Sequence, residues 1–211
     1  MTLTKPQKLV LVLLFVLGLI PDLFAQEEFP YPELTVSPRA TERLKMEYRK
    51  EKDNDFFRNH LAIQASSLVT LAAGLTHDED DPYNNTATLG TAIGGGWLAA
   101  TLLLDGLYNP YRSGLINVKR IKGDKKSDEL ARERYAEEAL YDAGSLGRKL
   151  DYLAAISNGL SSVFMISNVE GDALGEPITV LSLFSSIAPI VFPNNWSQVS
   201  EKHRSYKKKI Y

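Results

Sequence analysis

Polar and apolar residues alternate along the chain in long blocks rather than turn by turn. Ser37 and Pro38 have the pattern of a helix start, with serine as N-cap and proline at the first helical position. They predict a charge-rich helix running to about Asp55, with Leu44 and Tyr48 as its few apolar residues. At Phe56 and Phe57 the composition changes: 61–76 holds no charged residue. An acidic segment follows (His77, Asp78, Glu79, Asp80, Asp81, Pro82), then a second uncharged run, 83–104, which Tyr108, Asn109 and Pro110 bring to a stop. Residues 112–127 are basic, and from Ser127 a new helix is predicted. In it Ala136, Ala139, Ala143, Leu146, Leu150 and Leu153 recur at three- and four-residue spacing, a heptad seam with small residues. That seam passes without a break into a third uncharged run, 152–169. A short acidic turn with Glu170, Asp172, Glu176 and Pro177 separates it from a fourth run, to Ser200, interrupted by Pro189 and Pro193. The tail 201–211 is basic.

The pattern predicts an all-α fold in which one unit is used twice. Each copy has a polar helix, an apolar helix, an acidic loop ending in acid-proline, and a second apolar helix that stops at an aromatic residue with Asn and Pro. The expected organisation is a single helical domain, 38–211, with apolar hairpins at 61–104 and 152–192 and polar helical regions at 38–60, 105–151 and 193–211. A helix on the surface of a soluble protein carries charges every turn or two, and these runs carry none. The hairpins are therefore expected to cross a membrane, with Leu61, Leu68, Leu75, Trp97, Leu103, Leu160, Phe164, Leu183, Phe184 and Ile187 in contact with lipid. Phe56, Phe57, Tyr108, Tyr111, Tyr152 and Trp196 are expected at the headgroup boundary. Gly90 and Gly94 form a small-xxx-small pair suited to close helix contact. With Ala136, Ala143, Leu146 and Leu150 they are the expected packing residues of a homo-oligomer whose coiled-coil-like polar helices lie outside the bilayer.

The first 25 residues change the destination. Lys5 and Lys8, an apolar stretch from Leu9 to Ile20, Pro21, and Ala25 make up the pattern of a secretory signal peptide, with cleavage expected after Ala25. Residues 26–37, with two prolines and no helical period, are expected to form an extended arm. Cleavage removes two lysines and one aspartate, so the formal charge goes from −2 to −3. Three features favour the outer membrane. The runs are short, since sixteen helical residues rise only about 24 Å against a hydrocarbon core of about 30 Å. They are mildly apolar, so they can pass a translocon. Insertion into an inner membrane would also leave Arg58, Arg112, Lys119, Arg120, Arg148 and Lys149 outside, inverting the positive-inside rule. The outer membrane is thinner than average. The polar helices are then expected in the periplasm.

The signal peptide, the two hairpins and the helices that feed them together resemble the PopA-like oligomeric α-helical outer-membrane proteins of predatory bacteria. The resemblance covers nearly the whole chain after the signal and is one of architecture, without signature residues. It implies a ring of protomers whose membrane helices enclose a trapped patch of lipid, with the apolar hairpins touching lipid on both faces.

Composition narrows the remaining chemistry. The 211 residues include no cysteine, which excludes disulfides, thiolate metal sites and cysteine nucleophiles. A near-balanced charge gives no reason to expect nucleic acid. The acidic segment from His77 to Asp81 lacks the spacing and turn glycine of a calcium loop. No Gly-x-Ser-x-Gly elbow and no phosphate-binding glycine loop is present. No enzyme, cofactor, metal or small-molecule substrate is expected; the expected partners are membrane lipid and further copies of the chain. Two alternatives stay open. One is a helical channel lined by Gln64, Ser67 and Thr70 or by Ser157, Asn158 and Ser161. The other is a soluble periplasmic scaffold whose apolar runs bury one another.

Overall fold

In a computed structural model that describes residues 32–53, 59–77, 85–168 and 175–208, every regular element is an α-helix. In chain order these are α1 (Pro32–Thr35), α2 (Ala40–Asp53), α3 (Leu61–Leu75), α4 (Thr86–Leu107), α5 (Pro110–Arg120), α6 (Lys126–Ser167), α7 (Gly175–Ser185), α8 (Ala188–Val191) and α9 (Asn195–Lys208). The expected signal peptide, residues 26–31 of the arm, Phe56, Phe57 and most of both acidic turns lie outside the described residues.

Local chemistry accounts for most boundaries. Tyr108 is extended, Asn109 accepts from the backbone N–H of Arg112 at 2.9 Å, and Pro110 opens α5, so the chain stops one helix and starts the next within three residues. Asp128 accepts from the backbone N–H of Lys125 at the start of α6. Two expectations need correction. The arm is not extended throughout, since Pro32–Thr35 forms a helical turn. The next helix opens at Ala40, not at Pro38; the Arg39 N–H is accepted locally by Glu42, at 3.3 Å, and the Thr41 N–H by a residue far along the chain. Thr41 donates through its N–H (3.1 Å) and its hydroxyl (2.6 Å) to the Glu133 carboxylate, which α6 supplies from a distance in sequence that no local cap rule covers.

α6 is the common member of two packed halves. Around its N-terminal part α2, α5 and α9 bury Leu44, Tyr111, Leu115, Leu140, Trp196 and Val199, an ordinary apolar core beneath charged surfaces. Around its C-terminal part α3, α4 and α7 form a second bundle, in which α3 packs on α4, α6, α7 and α8. The surroundings of the helix change near Asp151 and Tyr152, but its buried face does not. Its buried line runs through Ala136, Leu140, Ala143, Gly147, Asp151, Ala154, Asn158, Ser161 and Met165, close to the 3.6-residue period of a straight helix. The predicted heptad seam therefore fails after Ala143: Leu146 and Leu150 are only half-buried and Leu153 is 56% exposed. Glycine takes their place because α9 lies too close for a side chain. A Cβ on Gly144 would sit 2.3 Å from the Cβ of Ser200, and one on Gly147 would sit 2.3 Å from Oδ1 of Asn194.

Gly90 and Gly94 pack within the chain, which corrects their assignment to contacts between copies. A Cβ on Gly90 would lie 2.6 Å from the Cα of Gly74, and one on Gly94 would lie 2.4 Å from the backbone N of Leu71. Ala136 and Ala143 are likewise buried in the core of the polar half, at 0% and 2% exposure. The glycine-rich turn of α4 thus brings α3 and α4 into backbone contact. Gly144→Val is expected to lower stability by about 1–3 kcal/mol through overpacking. Gly96→Ala, whose Cβ meets nothing within 4 Å, is expected to leave stability unchanged or raise it by up to about 1 kcal/mol. Thermal melts followed by circular dichroism check both.

Candidate membrane-spanning bundle

In the bundle of α3, α4, α7 and the C-terminal part of α6, burial is inverted. Ser66, Thr70, Thr101, Asn158, Ser162 and Ser182 are fully buried at 0% exposure, as are Ile63 and Met165, while many of the other large aliphatic and aromatic side chains are exposed. Among the residues expected to touch lipid, Leu61, Leu68, Leu75, Leu103, Leu160, Phe164, Phe184 and Ile187 are 40–67% exposed. Leu183 and Trp97 are half-buried, and the indole N–H of Trp97 donates to the Ser157 hydroxyl at 2.6 Å. The exposed apolar residues come from all four helices, so they surround the bundle instead of marking one patch.

The interior is held by short polar side chains. Nδ2 of Asn158 donates to the hydroxyls of Ser66 and Ser67, both at 3.2 Å, and the Ser182 hydroxyl lies 2.9 Å from that of Thr70 and 2.6 Å from that of Ser162. Thr70, Thr101 and Ser162 also donate to carbonyls one turn back, at Ser66, Trp97 and Asn158. Small residues allow the helices to approach, and the Thr70, Ser162 and Ser182 hydroxyls are paired across the seam or on their own helix, while the buried Ser161 hydroxyl has no partner among the described residues. Gln64, Ser67, Thr70, Asn158 and Ser161, proposed above as the lining of a channel, all face into this closed seam. The seam's outline is present in the sequence as Ser/Thr/Asn at helical spacing inside uncharged runs (Ser66 and Thr70; Asn158 and Ser162; Ser182 and Ser186). Of these, only Thr70 and Asn158 are among the residues expected to line a channel.

Where the two halves meet, ionisable groups are buried. His60 Nε2 lies 3.7 Å from Asp105 Oδ1, with both side chains almost wholly enclosed, and Nε2 of Gln64 donates to Asp105 at 3.1 Å. Trp196 donates its indole N–H to Glu51 at 2.6 Å and meets the His60 ring edge-on at 4.8 Å. Asp151 accepts from both the backbone N–H and the side-chain amide of Asn194, at 3.1 and 3.2 Å, and Asn194 in turn caps α9 by accepting from the N–H of Ser197 at 2.9 Å. Trp196 and Tyr111 are therefore core residues at 0% exposure, not boundary aromatics, whereas Tyr108 and Tyr152 are 46% and 54% exposed. Tyr111 and Trp196 lie in the first turns of α5 and α9, where packing into the core of the polar half outweighs their affinity for an interface. Among the described residues no cluster of three or more His, Asp or Glu could hold a metal ion.

Two helical stretches, Thr86–Arg120 and Pro177–Lys207, are long and apolar enough to cross a membrane, and Leu61–Leu75 is apolar but shorter. Only 22% and 28% of their apolar windows are buried, where a soluble protein's core helix would be mostly buried. Comparison of the chain with protein-family models, curated proteins and solved structures gives no match.

Burial raises the Glu51 carboxyl to about 7, against the opposing effect of the Trp196 hydrogen bond, with Glu47 and Asp105 adding repulsion. Burial also raises Asp151 to about 6. Between the ordinary carboxylate value of 4.5 and about 7, the folded state keeps a proton on Glu51 that the unfolded chain has released. That contribution to stability therefore falls as pH rises through this window. Glu51→Gln keeps an acceptor for Trp196 but cannot ionise. Its melting temperature is expected to match wild type at pH 4.5 and to exceed it by roughly 2–5 °C at pH 8, read from melts across that range.

Proposed function

We propose that the chain is a helical outer-membrane protein whose apolar bundle sits in hydrocarbon and which, as a homo-oligomer, encloses and organises membrane lipid. The observation that carries the membrane part is the inverted bundle: serine, threonine and asparagine inside beside Ile63 and Met165, and exposed leucine or phenylalanine on each of its helices, with Leu61, Leu68, Leu103, Leu160 and Phe184 at 57–67% exposure. In water that arrangement exposes the residues with most to gain from burial. In hydrocarbon the aliphatic surface meets lipid while the Thr70, Ser162, Ser182 and Asn158 side chains pair inside the bundle.

The signal-peptide pattern, the short runs and the basic flanks support the outer membrane over the inner. The architectural resemblance to PopA-like proteins supports a ring of copies. A lipid-filled interior is favoured over a water-filled one by the closed seam and by the apolar belt. With exposed aliphatic residues on all four helices, whichever face a protomer turns toward the centre of a ring is apolar.

Aspartate at Leu160 or Phe184, at 66% and 67% exposure, distinguishes solvents. On a water-soluble protein it would leave stability nearly unchanged. At a lipid-facing position it is expected to cost about 2.5–3.5 kcal/mol and to reduce recovery in the membrane fraction. The wild-type chain is expected to need detergent for extraction, to carry phospholipid through purification in complexes of several copies, and to give no conductance in planar bilayers. Recovery of a lipid-free monomer from the soluble periplasm would overturn the reading.

A further inference from the structure

At the border between the halves lies a crevice of about 320 Å³ formed where α8 passes beneath α6 and α9. Arg148 and Tyr152, one turn apart, make the wall on α6; Ser197 and Glu201, one turn apart, make the wall on α9; Ile190 and Val191 form the apolar side. The cation and the carboxylate are both without an ion-pair partner among the described residues. Asp151, three residues from Arg148 and a natural partner for it on a helix, is turned instead to Asn194, which occupies both its oxygens. Below the crevice the surface is apolar: Ile190, Val191 and Phe192 are 46%, 59% and 67% exposed.

A guanidinium and a carboxylate on opposite walls, above an aliphatic surface, match one class of molecule. We propose that this crevice binds the headgroup of a zwitterionic aminophospholipid, with Arg148 on the phosphate, Glu201 on the primary ammonium, Tyr152 beside the glycerol region, and the acyl chains along Ile190 and Val191. The proposal rests on the membrane reading above and adds a headgroup preference to it. A guanidinium holds a phosphate oxygen by charge-assisted hydrogen bonds. The Glu201 carboxylate accepts N–H bonds that a primary ammonium offers and a quaternary one does not, and it repels a headgroup that carries only negative charge.

The test uses the full chain purified in mild detergent, exposed to an equimolar mixture of phosphatidylethanolamine, phosphatidylglycerol and phosphatidylcholine, with retained lipid identified by native mass spectrometry. Wild type is expected to retain phosphatidylethanolamine about five- to tenfold over either competitor. Glu201→Gln is expected to abolish that preference while keeping total retention. Arg148→Gln is expected to reduce retention of all three several-fold. Both residues lie on the surface of helices, and circular dichroism spectra superimposable on wild type keep the comparison valid. A variant that loses helicity is replaced by Arg148→Lys or Glu201→Asp, for which a weakened but same-signed effect is expected. Equal retention of the three lipids, or variants indistinguishable from wild type, overturns the headgroup site. Flotation with liposomes of the same mixture separates this from the larger reading: a chain that floats without preference loses only the headgroup site, and a chain that neither floats nor holds lipid loses both.

Discussion

The structure depends on how short polar side chains are satisfied inside an apolar sequence. A helix of leucine and isoleucine can bury its large side chains only if other helices cover them, and the second bundle is too small to cover four. It solves the problem the other way, by pairing hydroxyls and one amide across the seam so that nothing polar need face outward. The Asn158 contacts to Ser66 and Ser67, and the placement of Ser182 between Thr70 and Ser162, are what make the seam close. Glycine completes it: Gly74, Gly90 and Gly94 allow α3 and α4 to come near enough for backbone contact. A buried hydroxyl without a partner is costly in any apolar medium, so the outward leucines and the inward serines are two consequences of one arrangement.

α6 shows the same physics changing along one continuous helix. Before Asp151 it buries Leu140 and Ala143 and exposes charge; after Tyr152 it buries Asn158 and Ser162 and exposes Ile156, Leu160 and Val163. Nothing in backbone geometry marks the change, so the difference lies entirely in which side chains fall on the inner line. At the crossing point sit the groups least at home in either half, Asp105 and His60 on one side and Asp151 with Asn194 on the other. Asp151 also anchors the first turn of α9 through Asn194, which fixes where the polar half closes over the apolar one.

The coarse outline was legible in the chain because it rests on block composition, which survives any detail of packing. Uncharged runs, Asn-Pro stops and the unbroken passage from the polar to the apolar part of α6 all read directly. Positions that depend on partners distant in sequence did not. Glu133 caps α2 across some ninety residues, and no local rule predicts that. Leu146 and Leu150 looked like seam residues because leucine at heptad spacing is the strongest apolar signal, yet the line is taken by Gly144 and Gly147, whose lack of a side chain admits Ser200 and Asn194. Trp196 and Tyr111 read as boundary residues by their chemistry and turned out to be core by their depth. In each case the intrinsic preference of a residue was outweighed by the proximity of another helix.

The lengths of the helices bear on why a single copy would be poorly matched to a bilayer. α4, with 22 residues, rises about 33 Å, enough for a hydrocarbon core of about 30 Å. α3 has 15 and α7 has 11, rising about 22 and 16 Å. One long helix beside shorter ones produces a belt of uneven height, and a bilayer meeting it must thin on some sides and not others. In the reading proposed here, copies arranged in a ring share that deformation: lipid held between them can be thinner than the surrounding membrane without a boundary around every protomer. The proposed headgroup site, in the crevice that Arg148, Glu201, Ile190 and Val191 line together, would then fix the height at which that lipid sits. Mismatch, an apolar belt on all four helices and a charged crevice at its edge are three separate features, and an enclosed patch of lipid accounts for them together.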